Sequence, residues 1–313
     1  MSATTPGPVL LQHGNYTMAV DVSLGSSVLS LDWTAPDGQT HALFVPSCAG
    51  GVPFKAGCFV MAPFANRIAG GSFPFDGRII RFPVNQIAEN NAIHGLSRDL
   101  KWVVVERTAS RLSTLDECRD AASGYHYDLT QLIEINAVGV SFALTITNRG
   151  SGRLPFGLGC HPWFTRTRKA RLAFRADTSF TRNESGLPEV ARPTAEIGDF
   201  SAPVALGRLP WLDAHYAGWL PRTALLDLPE MAVRIALSAS GCLRNLHIFA
   251  PDDRAVICIE PVSHVPNVCN APAFARFGDL AVLEPGESLS GSMRIAASSF
   301  ESSQTHAAGD PHA

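Results

Sequence analysis

The sequence predicts an all-β protein, a large antiparallel β-sandwich with few short helices. Stretches of alternating apolar and polar residues recur about every 8–12 residues along most of the chain. No segment carries a long, capped apolar stripe of helical period. The 22 prolines and 26 glycines are scattered, as many short elements joined by tight turns require. No composition break marks a linker, so residues 1–300 are predicted to form a single domain and 301–313 a flexible polar tail.

Individual strands are predicted where the alternation is clearest. Asp76-Gly77 is a favoured hairpin turn and joins two of these strands. Residues 107–128 show no clear period, and we expect a short helix there. The predicted strands are residues 17–22, 27–33, 71–75, 78–82, 102–106, 132–135, 142–148 and 256–263.

Two stretches in the first third carry polar residues in distinctive settings. Residues 59–68 are apolar until Asn66 and Arg67, which predicts a buried element that carries a polar pair into a cleft. A structural ion pair is the alternative interpretation of Arg67, because a buried guanidinium needs partners. His94 stands beside Gly95 in a polar loop.

The central stretch, residues 155–164, places a histidine among glycines and aromatic residues. Gly157 and Gly159 leave the backbone open to a ligand, and His161 follows them directly before Pro162. Trp163 and Phe164 are residue types that commonly line small-molecule pockets. A hydrogen-bonded structural histidine in a core is the alternative, and a single histidine does not decide between the two.

Two carboxylates in the second half are candidates for function. Asp213 lies among aromatic residues in the segment 211–219. Glu260 ends a β-branched strand, and the alternation puts it on the same face as Val256 and Cys258. Carboxylates are rarely buried unless they are paired or used, so we interpret Glu260 as functional.

Composition excludes several classes of function. With 25 basic and 28 acidic residues the chain has no basic stripe for nucleic acid. No apolar run approaches the ~20 residues that cross a bilayer, and residues 1–14 do not form a secretory signal. The seven cysteines include no CxxC pair. We therefore predict a cytoplasmic protein with reduced thiols that binds neither nucleic acid nor membrane.

The candidate residues favour acid–base chemistry on a sugar. No serine stands in a GxSxG motif, and a Cys160–His161 dyad fails because neighbours in a strand point to opposite faces. His94, His161, His215 and Asp213 lack metal-ligand spacing, so no metal is predicted. His161 and Glu260 remain as an acid–base pair. The groups that suit a polyhydroxylated ligand are Arg67 and His94 as donors, Asp213 as acceptor, and Trp163 or Trp219 as a face for the sugar ring.

Seven motifs in this chain, in order, resemble those of the aldose 1-epimerases of the galactose mutarotase type over nearly the full length. They are Ala65-Asn66-Arg67-Ile68-Ala69-Gly70-Gly71, Phe75-Asp76-Gly77, Ile93-His94-Gly95, Gly159-Cys160-His161-Pro162-Trp163-Phe164, Leu212-Asp213 with Tyr216 and Gly218-Trp219, Ile259-Glu260-Pro261, and Leu283-Glu284-Pro285-Gly286-Glu287.

The resemblance implies a galactose mutarotase-like supersandwich and a specific division of roles. His161 would protonate the ring oxygen O5 and Glu260 would take the proton of the C1 hydroxyl, while Arg67, His94 and Asp213 would hold sugar hydroxyls. Asn66 and Trp163 lie within the same motifs, although many members have Tyr or Phe at the position of Trp163. The substrate would be a monosaccharide, with no cofactor, and the protein a monomer or homodimer.

Three alternatives stay open at this stage. A subgroup of the superfamily acts on hexose 6-phosphates, and Arg166, Arg168 and Lys169 would then meet the phosphate; a solvated basic loop is the other interpretation. A sugar-binding protein that lost turnover is the second alternative, although it would need no matched acid and base. Glycoside hydrolysis is the third, and it calls for two carboxyls where the sequence offers one.

Overall fold

The computed structural model describes residues 7–47, 55–207 and 209–300, and the predicted tail lies outside them. Within these ranges the chain is built almost entirely of strands. In chain order they are β1 (Val9–His13), β2 (Tyr16–Asp21), β3 (Ser27–Thr34), β4 (Thr40–Ala42), β5 (Cys58–Met61), β6 (Arg67–Ala69), β7 (Ser72–Phe75), β8 (Arg78–Arg81), β9 (Asn91–Ile93), β10 (Val103–Arg107), β11 (Arg111–Asp120), β12 (Tyr125–Asn136), β13 (Gly139–Asn148), β14 (Leu154–Phe156), β15 (Gly159–Thr165), β16 (Arg171–Phe174), β17 (Thr178–Arg182), β18 (Pro188–Pro193), β19 (Val204–Ala205), β20 (Leu212–Ala217), β21 (Thr223–Leu228), β22 (Val233–Gly241), β23 (Asn245–Ala250), β24 (Val256–Val262), β25 (Ala281–Leu283) and β26 (Ser288–Ser299).

Helices in the described residues are few and short. There is one α-helical turn, α1 (Thr194–Ile197), and the 3-10 segments are Ile87–Glu89, Ser97–Asp99, Pro229–Met231, Val268–Asn270 and Pro272–Phe277. None of these segments is long and apolar enough to span a membrane.

Two large antiparallel sheets dominate the fold. The first has 11 strands in the order β1-β2-β3-β5-β15-β24-β23-β20-β17-β18, with β4 added beside β3. The second has nine strands in the order β10-β11-β12-β13-β26-β22-β21-β16-β19. Apolar side chains of both sheets, such as Leu31 and Ile257 from the first and Leu129 and Leu144 from the second, belong to one buried cluster. The predicted antiparallel sandwich is therefore confirmed.

Three central strands of the larger sheet, β5, β15 and β24, are buried on both faces. Val60, Cys160 and Ile259 point into the core between the sheets. The alternate residues on the opposite face form a second, smaller apolar cluster that includes Phe59 and Trp163. This second face is the one that carries the candidate site.

The local predictions were mostly confirmed. Asp76 and Gly77 have φ of 47° and 73° and join β7 to β8 as the predicted hairpin. The short helix expected within residues 107–128 was wrong, because β11 and the start of β12 occupy that segment. Inward-facing Thr114 and Asp116 are buried polar residues, and they obscured the period-two pattern in the sequence.

Candidate active site

Seven of the residues selected from the sequence line one cavity of about 400 Å³. It opens on the outer face of the central strands of the larger sheet. The seven are Asn66, Arg67, His94, His161, Trp163, Asp213 and Glu260. Residues that the sequence reasoning did not select also contribute to its wall, among them Phe59, His247, Phe249, Lys55 and Arg254.

A row of side chains across four neighbouring strands, β5, β15, β24 and β23, forms the base of this site. On β15 and β24, Gly159 pairs with Val262 and Trp163 with Cys258, so His161 stands opposite Glu260. His161 also pairs with Phe59 of β5. On the other side Glu260 pairs with His247 of β23, which in turn pairs with His215 of β20. Strand alternation alone therefore brings the acid–base candidates together.

His161 and Glu260 form a buried pair. His161 Nε2 lies 3.4 Å from Glu260 Oε1, and the two side chains are 6% and 1% exposed. Burial, followed by the charge of His247, lowers the pKa of His161 to about 3. Burial, followed by the charge of Asp213, raises the pKa of Glu260 well above its ordinary value. Both shifts favour the neutral form of each group.

Aromatic rings make the surroundings of His161 apolar. The Phe59 ring stacks on it at 4.5 Å between centroids and the Trp163 ring at 5.2 Å. Trp163 is itself contacted by Phe249 and by the Arg254 guanidinium. Of the two tryptophans proposed as a sugar platform, Trp163 lines the cavity, whereas Trp219 is buried in the core between the sheets.

Two hydrogen bonds join the turn at Asn66 to the turn at His94. The Asn66 backbone N–H donates to His94 Nδ1 at 3.3 Å, and the His94 N–H donates to the Asn66 carbonyl at 2.9 Å. Because Nδ1 accepts, the proton of the neutral ring sits on Nε2. Burial, then the charge of His161, lowers the pKa of His94 well below its ordinary value. His94 is thus a neutral donor group.

Gly95 allows the His94 turn to approach the end of β5. Its φ is +73°, and a Cβ there would lie 1.9 Å from the Ala62 carbonyl oxygen. That oxygen accepts from the N–H groups of Leu96 and Ser97. The glycine beside His94, noted in the sequence, is therefore required by backbone contact.

Arg67 and Asp213 face each other across the cavity wall. Arg67 Nη2 donates to Asp213 Oδ2 at 3.1 Å, and His247 Nε2 lies 2.9 Å from Asp213 Oδ1. Burial acts to raise the pKa of Asp213. The hydrogen bond and charge of His247 and the charges of Arg67 and Arg182 outweigh it and hold that pKa below its ordinary value. Asp213 is an ionised acceptor.

Four buried polar atoms of the cavity residues find no protein partner among the described residues. They are His161 Nδ1, Trp163 Nε1, His247 Nδ1 and Glu260 Oε2. Buried polar atoms are usually hydrogen-bonded, so atoms of this kind concentrated in one cavity indicate a polar ligand.

The structure also places the residues considered for a metal site and for a phosphate site. His215 does not line the cavity; its Nε2 lies 3.1 Å from Asn245 Nδ2. Possible metal ligands do cluster at His161, Cys258 and Glu260, within 4.8 Å of one another. Burial raises the pKa of the Cys258 thiol well above its ordinary value, which opposes the thiolate that a metal prefers.

Arg166, considered for binding a sugar phosphate, donates to the carbonyl oxygens of Pro251 and Arg254 and does not line the cavity.

Three residues that bond to Arg67 or Asp213 were missed in the sequence. His247 lies on the cavity face of β23, where the alternation of Asn245, His247 and Phe249 was a signal. Glu89, at the end of a 3-10 segment, binds Arg67, and Arg182, at the end of β17, binds Asp213. No local sequence pattern identifies such partners.

Comparison with known proteins identifies the family and agrees with the fold. The family model described as aldose 1-epimerase matches residues 8–296. The uncharacterized protein YphB of Escherichia coli K12 is 30% identical over 293 residues, which cover 91% of this chain and 97% of that protein. The crystal structure of a putative aldose 1-epimerase from Escherichia coli K12 superimposes with a TM-score of 0.84 and 28% identity, over 94% of this chain and 99% of that one. A galactose mutarotase-like protein from Clostridium acetobutylicum, at 18% identity and a TM-score of 0.82 over 94% of this chain and 95% of that one, shares the fold.

Proposed function

Since this chain belongs to the aldose 1-epimerase family, we propose that it is a mutarotase that interconverts the α and β anomers of a free aldose. The observation that carries the proposal is the buried His161–Glu260 pair, 3.4 Å apart at the base of a cavity lined by sugar-compatible donors and acceptors. We place the activity in the cytoplasm, in keeping with the six free cysteines of the described residues.

The proposed reaction needs one proton shared between two groups. His161 delivers a proton to the ring oxygen O5 while Glu260 removes the proton of the C1 hydroxyl, and the ring opens to the aldehyde. Rotation about C1–C2 and closure on the other face reverse both transfers. The pair holds one proton throughout, on His161 before opening and on Glu260 after it.

The shifted pKa values support this cycle. Burial favours neutral His161 and protonated Glu260, which is the state of the pair once the ring has opened. Proton transfer during opening is therefore favoured, at the cost of charging the pair beforehand. Arg67, His94 and Asp213 supply the donors and the acceptor that hold the remaining hydroxyls.

The alternatives have less support. A hydrolase needs a second carboxylate in an acid or nucleophile role, and Asp213 is already held by Arg67, Arg182 and His247. A phosphate-binding role for Arg166 is opposed by its bonds to two backbone carbonyls. Lys55 and Arg254 do line the cavity, so sugar phosphates belong in the test.

Anomer exchange measured by saturation-transfer NMR tests the proposal. We expect faster exchange for at least one free aldose, reduced ~10²–10⁴-fold in Glu260→Gln and in His161→Asn. Glu134→Gln, an exposed carboxylate on β12, is the matched control. Acceleration confined to 6-phosphorylated sugars would replace the free-aldose assignment. Sugar binding without any acceleration would identify a non-catalytic binding protein.

A further inference from the structure

The cavity residues Arg67 and Asp213 belong to a closed ring of four charges. Arg67 Nε and Nη2 donate to Glu89 at 2.6 and 3.2 Å, and Arg67 Nη2 also donates to Asp213. Arg182 completes the ring through its Nη1 to Asp213 and its Nη2, 3.5 Å from Glu89 Oε1. The charges alternate, and the side chains are 4–19% exposed.

The ring joins four separate elements, and only half of it faces the cavity. Arg67 begins β6, Glu89 ends a 3-10 segment, Arg182 ends β17 and Asp213 lies in β20. Arg67 and Asp213 line the cavity, whereas Glu89 and Arg182 do not. The second pair therefore acts on a ligand only through the first.

The loop after Arg182 encloses the ring from outside. At Gly186, with φ of +77°, a Cβ would lie 2.6 Å from Arg67 Nε and 2.7 Å from Arg182 Nη2. The neighbouring Ser185 carbonyl accepts from Asn91 Nδ2 at 2.8 Å. The β17–β18 hairpin and the ring are thus packed as one unit.

The hydrogen bonds that Arg67 makes can be compared with the number of N–H donors that it has. A guanidinium has five N–H donors. Three of these N–H groups, on Nε and Nη2, donate to Glu89 and Asp213. A fourth, on Nη1, donates to Asn66 Oδ1 at 3.3 Å. One N–H, on Nη1, remains for a ligand.

The same count applies to Asp213. A carboxylate offers about four acceptor sites. Oδ2 accepts from Arg67 and Arg182, and Oδ1 is bonded to His247. One acceptor site, on Oδ1, remains for a ligand.

We infer that Glu89 and Arg182 are positioning residues that set sugar selectivity by reducing Arg67 and Asp213 to one free donor and one free acceptor at fixed places. This inference rests on the proposed function for its substrate class. A fixed donor beside a fixed acceptor distinguishes hydroxyl configurations, because an epimer or deoxy sugar leaves one of them unpaired. Without Arg182 or Glu89 the remaining charges would pair differently, and the spare donor and acceptor would no longer be fixed.

The test compares Arg182→Met and Arg182→Lys with Arg192→Met. Arg192 is the matched control, because it lies on β18 of the same hairpin and its guanidinium pairs with Glu196 at the protein surface. D-Glucose, its C2, C3 and C4 epimers and the corresponding deoxy sugars are titrated by NMR for Kd. Anomer exchange gives kcat and KM, and thermal unfolding gives the Tm.

We expect Arg182→Met to raise Kd and KM ~10–100-fold for the preferred sugar, with kcat within about threefold of wild type. The ratio of affinities between the preferred sugar and its least tolerated epimer should fall by a similar factor. Arg182→Lys should be intermediate, and Arg192→Met unchanged. Glu89→Gln combined with Arg182→Gln should cost less than the product of the single effects, since it removes one charge of each sign.

Unchanged Kd and selectivity in Arg182→Met would overturn the inference. So would a loss that is equal for all sugars and accompanied by a lower kcat and Tm, because that is the result of a structural role. If Arg182→Met does not fold, Arg182→Lys and Glu89→Gln decide by the same criteria. Selectivity that depends on Arg182 in a protein that does not accelerate exchange would sustain the inference and reject the proposed function, whereas fast exchange with unaltered selectivity would do the reverse.

Discussion

Asp116 should make the protein less stable as the pH rises. It lies on β11, is 3% exposed, and its Oδ2 has no hydrogen-bond partner among the described residues. Burial raises its pKa from 3.8 to about 6, the Ser97 hydroxyl opposes this, and the charges of Asp128 and Glu117 add to it. The buried Tyr127 and Cys118 also face it.

The sign follows from proton linkage. The folded state holds the Asp116 proton more tightly than the unfolded state, so this group stabilises the fold below about pH 4 and the effect is lost as the pH rises through about 6. A pKa raised from 3.8 to about 6 corresponds to about 3 kcal/mol between these limits. Asp116→Asn keeps the shape and removes the ionisation. We therefore expect it to raise the free energy of unfolding by up to about 3 kcal/mol at pH 7.5 and to change it little at pH 4.

Urea unfolding at pH 4, 5, 6 and 7.5, for wild type and Asp116→Asn, measures the effect. Glu134→Gln serves as the control, because that carboxylate is exposed on the outer face of β12 and makes an exposed pair with Arg111. Parallel pH profiles for wild type and Asp116→Asn would refute the reasoning. So would a variant that is less stable at pH 7.5, since Asp116 would then be stabilised in its charged form.

Two further predictions concern the candidate active-site cavity. In the proposed cycle His161 and Glu260 share one proton, so kcat/KM should fall as the pH drops toward the His161 pKa of about 3 and fall again above the raised pKa of Glu260; an acidic limb near pH 6.5 would contradict the buried pair. His247→Gln retains a donor toward Asp213 and should keep KM within about threefold, whereas His247→Phe removes the donor and should raise KM ~10-fold. Equal KM values for the two variants would show that the donor is irrelevant.

The sequence was informative where the relevant relation was local. Strand alternation placed Glu260 on the face of Cys258 and separated Cys160 from His161, and the structure agrees on both points. The DG turn likewise depends on four adjacent residues. Arg67 and Asp213 were each selected from a local pattern, the apolar run that ends at Arg67 and the aromatic setting of Asp213, but nothing local indicated that residues 146 positions apart meet.

The features that the sequence did not predict depend on contacts between segments that are distant in the chain. Arg182 and Glu89 are ordinary surface residue types whose partners are 22–93 positions away. The period of β11 was concealed because the space between the sheets accepts a polar Asp116 beside Ser97. Both cases reflect tertiary contacts that override the local pattern.

The strands that carry the acid–base pair have a further consequence for how this protein can change. Cys160 and Ile259 pack in the central core, and each is the immediate chain neighbour of a cavity group on the other side of the same strand. Enlarging or shrinking either one displaces a strand whose far side sets the spacing of His161 and Glu260. The spacing of the proposed acid–base pair and the stability of the fold thus depend on the same strands. Substitutions in the core that leave every cavity residue unchanged can therefore still alter the distance between His161 and Glu260. Which core substitutions are tolerated would then depend on the geometry of this pair as well as on packing.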